Sequence, residues 1–388
     1  MEKKVKAGIL SLIPIFLLFA IDGIFSVQSI LPLVAISLFC DCVQSNYKIA
    51  KEEGVVYILY FMISLLALLT NFVISPQYIT GQSYIRIVYY AVIIYFYYSM
   101  THVVYSKKDI VKAIYALIGV GCFVSLYFIF VEKIWFVSFL GTKIDKNFIG
   151  VFLMTAATFS LYFSLTNKRK RWLFLLIYIL LLVGIFFSAS RASVLYCLMA
   201  TLITITVYLK QCTKSRKGFI KAILMMYCLP PLLILCWLVL KSKMSNSAID
   251  ISWYWNRYFV NGFGDSSVTG RVVWWKEAIL HFIERPIYGF GIGNISFSGN
   301  SSAVSHNTYI DFLVDQGIIG FLVFMNFIKK SVEGIFKNRQ SMFYGIVFCV
   351  LIGIFNLSAT RSTYLWFMLI LLFEISRNDW NESNELNR

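Results

Sequence analysis

Charge is scarce in this sequence. Only 14% of its 388 residues are Asp, Glu, Lys or Arg, while 59% are hydrophobic and the mean hydropathy is +0.74. A soluble domain carries about a quarter charged residues, so a soluble globular class is excluded. Histidine is rarer still, with three copies: His102, His281 and His306. No His-Glu-x-x-His occurs, which argues against a zinc hydrolase. No Asp-x-Asp occurs either, so the paired carboxylates that hold a metal beside a sugar nucleotide are missing. Internal repeats and low-complexity tracts are also lacking, which removes repeat architectures.

What remains is apolar sequence in long runs. Crossing ~30 Å of hydrocarbon takes about 20 apolar residues in a helix. Twelve such spans are predicted, near 7–25, 26–40, 55–74, 83–100, 110–131, 147–166, 172–188, 192–209, 222–240, 308–328, 341–357 and 364–376. Residues 1–388 thus read as one membrane domain, an all-α polytopic bundle. Pro32 is placed to kink the short second span. The start, MEKKVKAGIL, is read as a retained first helix, because no small-residue cleavage site follows its apolar run.

The net charge of +16 does not indicate nucleic acid, because it is divided among short loops between apolar helices. It reports orientation instead. Of the 35 Lys and Arg, 22 fall in the terminal and loop segments of one side and 11 on the other. By the positive-inside rule both termini face the cytoplasm. The eight cysteines, Cys40, Cys42, Cys122, Cys197, Cys212, Cys228, Cys236 and Cys349, then lie in helices or on the cytoplasmic side, where no disulfide is expected. Cys40-x-Cys42 has no second pair to complete a metal site. Residues 377–388 form a polar tail, read as disordered.

One loop is long, 241–307, and it faces outward. Within it Thr269-Gly270 is placed to cap a helix from Arg271 to Arg285. Val272, Trp275, Ile279, Phe282 and Ile283 follow the helical spacing of one apolar face, and Pro286 stops the helix. Such a helix belongs on the bilayer surface, over the mouth of the bundle. Trp253, Tyr254 and Trp255, earlier in the loop, suit sugar stacking and interfacial anchoring equally well.

Against the charge rule, Arg191, Arg271 and Arg361 fall at the outer face. Arg86 lies inside a helix about one turn from it, and His306 joins them. Cations held at a membrane rim are costly and call for a partner; a lipid diphosphate fits. The bland alternative is snorkelling to headgroup phosphates. The surrounding sequence is patterned: Ser188-Ala-Ser-Arg191-Ala-Ser193 at a tight turn, Thr269-Gly-Arg271-Val-Val-Trp274-Trp275, Pro286-Ile-Tyr-Gly289-Phe-Gly291-Ile-Gly293, and Ser305-His306-Asn307 running on to Asp315-Gln-Gly317. The glycine triplet is no dinucleotide fingerprint, since no strand precedes it; it is read as a compact turn.

In order and placement these motifs resemble the O-antigen ligase and O-antigen polymerase superfamily, bacterial enzymes that join lipid-linked glycans outside the inner membrane. The resemblance implies a C-type glycosyltransferase-like helical fold, an undecaprenyl diphosphate-linked glycan as donor, and metal-independent inverting transfer with no cofactor. It implies that Arg191 and Arg271 bind the diphosphate and that His306 activates the acceptor hydroxyl. Arg361, in Ser358-Ala-Thr-Arg361-Ser362, matches less securely, and Arg86 fits by chemistry alone. Chemically, guanidinium forks stabilise a developing diphosphate charge, and a helix start at Arg271 would add amide donors. The imidazole is the side chain suited to act as base near neutral pH. The bland reading of His306 is a helix cap made together with Asn307, which otherwise supports the site. Asp315 is read as shaping the entry of the tenth span or as a reserve base. Asn147 is read as structural or as lining a polar pocket. His281 is read as solvated or interfacial, and His102 lies on the cytoplasmic side.

Three functions follow for comparison. The first is a surface-polysaccharide polymerase of the bacterial inner membrane, acting on lipid-linked repeat units, with a chain-length regulator as a further candidate partner. The second is a ligase moving finished glycan to lipid A core or to protein. The third is a lipid-linked glycan flippase, which would place its charges near the midplane and often shows repeated halves. The rim placement of the arginines favours an enzyme. Topology is testable directly. A cysteine replacing Ser302, in a cysteine-free background, should react with an impermeant thiol reagent on intact cells; labelling only after the cytoplasm is opened would invert the orientation.

Overall fold

The computed structural model describes residues 2–19, 27–44, 50–79, 81–131, 136–138, 141–213, 266–293, 295, 305–360 and 362–380. The ninth predicted span, Trp253–Trp255, Ser302, Arg361 and residues 381–388 lie outside these. The described chain is helical but for one two-residue hairpin: α1 Glu2–Phe16, α2 Leu31–Gln44, α3 Lys51–Ile74, α4 Gly81–Thr101, α5 Lys107–Phe130, β1 Phe136–Val137, β2 Lys143–Ile144, α6 Lys146–Thr166, α7 Arg171–Phe187, α8 Arg191–Cys212, α9 Ser266–Glu284, α10 Thr308–Lys337, α11 Tyr344–Phe355 and α12 Thr363–Arg377. Among the described residues five helices, α3, α5, α6, α8 and α10, are long and apolar enough to cross a membrane. That agrees with a polytopic membrane protein. Pro32 sits in the first turn of α2, where a missing N–H costs little.

Helix α6 is the axis of the bundle. Every residue from Phe148 to Ser164 is buried, as expected of a helix apolar on all sides. Helix α12 is nearly as enclosed, and its Tyr364 hydroxyl hydrogen-bonds Thr155 of α6. Small residues bring α8 against α6: a Cβ on Gly150 would stand 2.2 Å from Ser193 Oγ. Such close approach is how apolar helices gain contact where lipid offers no hydrophobic drive.

The end holding both termini of the described chain contains a buried cation. Lys6, counted above among the cytoplasmic charges, is fully buried within α1. Its Nζ meets Asp41 Oδ1 at 2.6 Å and Glu2 Oε1 at 3.0 Å, and donates to the Ser99 carbonyl at 2.8 Å. Asp41 also accepts from the Tyr95 and Ser99 hydroxyls, both at 2.6 Å. A buried ion pair persists only when its remaining hydrogen-bonding capacity is met in this way. The cluster ties α1, α2 and α4 together.

The tenth span differs from expectation, because α10 is a broken helix. Gly317, with φ 63° and ψ −165°, separates a half from Thr308 to Gln316 from the longer half that follows. The glycine turn after α9 seals the break. Phe290 N donates to Val314 O at 2.9 Å, Gly291 N to Asp315 O at 2.9 Å, and Ile318 N to Pro286 O at 2.8 Å. The backbone groups freed by the break are thereby satisfied, as they must be at membrane depth. A Cβ at Gly317 would lie 2.4 Å from the Ile287 carbonyl. Gly317→Ala should therefore cost about 1–3 kcal/mol and lower the melting temperature of the detergent-solubilised protein. Gly119→Ala, in α5 with nothing within 4 Å of the added carbon, should not lower it. Equal melting temperatures for the two variants would mean that the break imposes no strain.

Candidate functional site at the convergence of helix starts

Helices α6, α8, α10 and α12 all begin at the end opposite the buried lysine. The chain gets there through two tight turns, each with a non-glycine residue in the left-handed region: Ala189 (φ 57°) and His306 (φ 54°). Such conformations are costly and cluster at functional sites.

In the first turn, between α7 and α8, the Ser188 hydroxyl donates to the Ile185 carbonyl at 2.7 Å. The Ser190 hydroxyl bonds Asn147 Oδ1 at 3.1 Å and Ser193 Oγ at 2.8 Å. Asn147 is the second residue of α6, and Asp145 caps that helix, its Oδ1 accepting from Asn147 N at 2.7 Å. Arg191 is the first residue of α8, so its guanidinium is added to the partial positive charge of a helix N-terminus.

In the second turn, Asn307 caps α10. Its Oδ1 accepts from Tyr309 N at 3.0 Å and Ile310 N at 3.3 Å. The cap is made by the Asn307 side chain, not by His306. His306 is held by its backbone, whose N–H donates to Ser358 Oγ at 3.0 Å. Thr308 fastens the same region, donating to the Leu357 carbonyl at 2.6 Å and accepting from Ala359 N at 2.9 Å.

Helix α9 lies against the second turn. The Trp274 ring faces the His306 ring, centroids 5.6 Å apart, and Trp275 Nε1 donates to the Ser305 carbonyl at 2.8 Å. One sequence expectation needs correction. The helix starts at Ser266, not at Arg271, so Arg271 stands in its second turn and gains no terminal amides. The helix is apolar on more than one side: Trp274, Ala278 and Phe282 pack on the protein, and the open Val272, Ile279 and Ile283 are of the kind a bilayer surface would cover.

The C-terminal end of α9 is clamped. Arg285, which sequence reading left among the outer-loop charges, is buried. It bonds Asn71 Oδ1 and, at 2.8 Å, Ser75 Oγ, and lies over the Phe290 ring at 4.2 Å. Asn71 Nδ2 in turn donates to the Phe290 carbonyl at 2.7 Å. Arg86 donates to the Gly293 and Ile292 carbonyls. Asp315 lines a small cavity with Ile87, Gly291, Ile292 and Gln316. Arg86 and Asp315 thus gather at the glycine turn.

Arg191, Arg271 and His306 form a separate group. Arg271 donates to Asn356 Oδ1. Burial pulls its pKa down, the Asp145 carboxylate and then Tyr196 support its charge, and Arg191 opposes it. The imidazole of His306 is held below its usual value, first by burial and then by Arg271, with Asp145 acting the other way. His306 is therefore a neutral imidazole near pH 7, able to accept a proton. Asp145, Tyr196 and Asn356 were not singled out from sequence. Only Asp145 carried a signal, as an acidic residue just ahead of an apolar run.

The histidine titration provides a check, since three histidines give few signals. The His306 midpoint, followed by NMR and assigned with His306→Gln, should fall below ~6.5. Arg271→Gln should raise it by removing a neighbouring cation. A midpoint at or above the ordinary value in the wild type would contradict this environment.

In comparison with protein families, residues 176–325 fit the family model described as O-Antigen ligase. The stretch runs from α7 into α10 and contains Arg191, Arg271 and His306. Over these residues the likeness to the O-antigen ligase and polymerase superfamily is shown. No curated protein matches the chain.

Proposed function

We propose that this protein is a polymerase that joins undecaprenyl diphosphate-linked repeat units on the outer face of the bacterial inner membrane. The observation that carries the reading is the grouping of Arg191, Arg271 and His306, all inside the O-antigen ligase-like stretch. A lipid-linked donor loses a diphosphate when its glycosidic bond breaks. Guanidinium forks at the N-terminal end of α8 supply preorganised positive charge for that leaving group. His306, neutral and facing the same charges, takes the proton from the acceptor hydroxyl as the bond to the diphosphate breaks. Arg361 and Arg86 are retained as further diphosphate contacts. Arg86 would have to add this to its bonds with the glycine turn. Asn307 supports the site as the cap that sets the His306 turn, and Asp315 as a residue of the break in α10.

Ligation to lipid A core or to protein uses the same donor chemistry, and it is the reaction that the matched family's description names. The acceptor distinguishes the two. Purified protein given lipid-linked repeat units alone should produce a ladder of lengthened glycans. Product only after lipid A core is added would make it a ligase, and no product with either would leave transport of the lipid-linked glycan. Within the assay Arg191→Lys should already impair turnover, since a point ammonium cannot replace a planar fork. Arg191→Ala and Arg271→Ala should each cost the transition state ~2–4 kcal/mol, the scale of a lost oxyanion donor. His306→Ala should lose roughly 10²–10⁴ in rate, whereas His281→Ala, whose ring packs on Phe290, should be nearly silent. Wild-type turnover in the Arg191→Ala, Arg271→Ala double variant would return both arginines to the snorkelling role.

A further inference from the structure

Arg271 is gripped by a segment that no sequence motif marks, the turn between α11 and α12. Asn356 is buried there, and its Oδ1 accepts from Arg271 Nη1. The backbone of Asn356 already closes α11, its N–H donating to the Gly353 carbonyl at 3.1 Å, so the side chain is not needed for that. Leu357, Ser358 and Ala359 all hold the His306 turn. The Leu357 carbonyl takes the Thr308 hydroxyl, Ser358 Oγ takes the His306 N–H, and Ala359 N donates to Thr308 Oγ1. Helix α9 leans on the same place from the other side. Trp275, one turn after Arg271, meets the Phe355 ring edge-on with centroids 5.5 Å apart, and its Nε1 bonds the Ser305 carbonyl. Residues 355–359 are thus a strap that ties the Arg271 guanidinium to the His306 turn.

The chemistry of the acceptor gives the strap a purpose. Buried charges are ordinarily paired with an opposite charge. A carboxylate in this place would bind the guanidinium as a bidentate pair and cancel its charge. An amide oxygen orients the same fork and leaves the charge intact. Because Oδ1 faces the donating guanidinium, the orientation of the amide is settled, and Nδ2, on the same carbon, stands beside Arg271 as a second donor. Nδ2 has no hydrogen-bond partner among the described residues.

We propose that Asn356 completes the anion site built on Arg271: its Oδ1 fixes the guanidinium without neutralising it, and its Nδ2 donates to the same diphosphate. That the anion is a diphosphate rests on the transferase reading; that the site takes an anion rests on its donors alone.

Inorganic diphosphate is the probe, titrated into the full-length protein in detergent at pH ~8, where an ordinary imidazole is neutral. The His306 NMR signal is the reporter, and in the wild type it should shift saturably. Asn356→Asp keeps the shape and an oxygen facing Arg271, but it pairs with the guanidinium and removes the Nδ2 donor. Its dissociation constant should rise roughly tenfold or more, the scale of one hydrogen bond to a charged group. A purely structural tether predicts otherwise, since Asp holds the guanidinium at least as well. A folded Asn356→Asp protein with wild-type affinity therefore overturns the proposal. Asn356→Ser, too short to reach Arg271, should weaken binding as well and stands in if the Asp variant does not fold; wild-type affinity there overturns the proposal equally. A wild-type signal that ignores inorganic diphosphate removes the anion site outright. In the glycan-lengthening assay Asn356→Asp should raise KM for the lipid-linked donor. If diphosphate binds the wild type and fails in the Asp variant, yet no glycan or ligated product forms, the anion site stands and the transferase reading falls.

Discussion

The site depends on helices starting together. An α-helix leaves its first amide N–H groups without partners and carries partial positive charge there. Here α6, α8, α10 and α12 present that end to one place. Side chains at or before each start are occupied with satisfying or arranging it: Asp145 and Asn307 as caps, Ser190 as a bridge to Asn147, Thr308 as a staple to residues 357–359. Two guanidiniums are then added to a region already suited to anions. Because α6 is buried on all sides, its start cannot shift without disturbing the whole bundle, and the position of the charges inherits that rigidity.

A second constraint is the broken helix. The Gly317 break frees backbone groups that hydrocarbon cannot satisfy, and the turn after α9 supplies their partners. That docking, together with the Arg285 clamp on Asn71 and Ser75, fixes the far end of α9. The near end is fixed by Trp274 and Trp275 on the His306 turn. Arg271 is therefore carried by a helix held at both ends, which is the preorganisation that its proposed transition-state role requires. The glycine triplet serves this purpose: at Gly289 a Cβ would lie 2.5 Å from the Val314 carbonyl.

Much of this was legible in the chain. For most of the described helices the apolar runs mark the bounds to within a few residues, because a helix in a membrane must satisfy its own backbone and is marked by length and composition; α1 stops at Phe16 and α10 runs on to Lys337, against predicted ends at 25 and 328, and the ninth span lies outside the described residues. The outer arginines and His306 stood out because charge at a membrane rim is rare, and the structure groups Arg191, Arg271 and His306. Less legible were the start of α9, the face it buries, and the clamp role of Arg285. A helix with apolar residues on several sides gives no unique face, and an arginine in a loop does not announce that Asn71 and Ser75 await it more than 200 residues away. Arg86 was read from chemistry alone and is found bonded to Ile292 and Gly293 carbonyls.

What the sequence determined by itself was class, a helical membrane protein, together with the expectation that guanidinium and imidazole groups share one rim. These follow from composition and period, which are local properties. What only the tertiary structure decided was which of those groups meet. Asp145 has no motif and lies far along the chain from both Arg271 and His306. It enters the site because α6 and α8 begin side by side, and the break in α10 exists because Gly317 and Gly289 allow two backbones to touch. Electrostatic partnership depends on distance in space, and the packing of whole helices sets that distance.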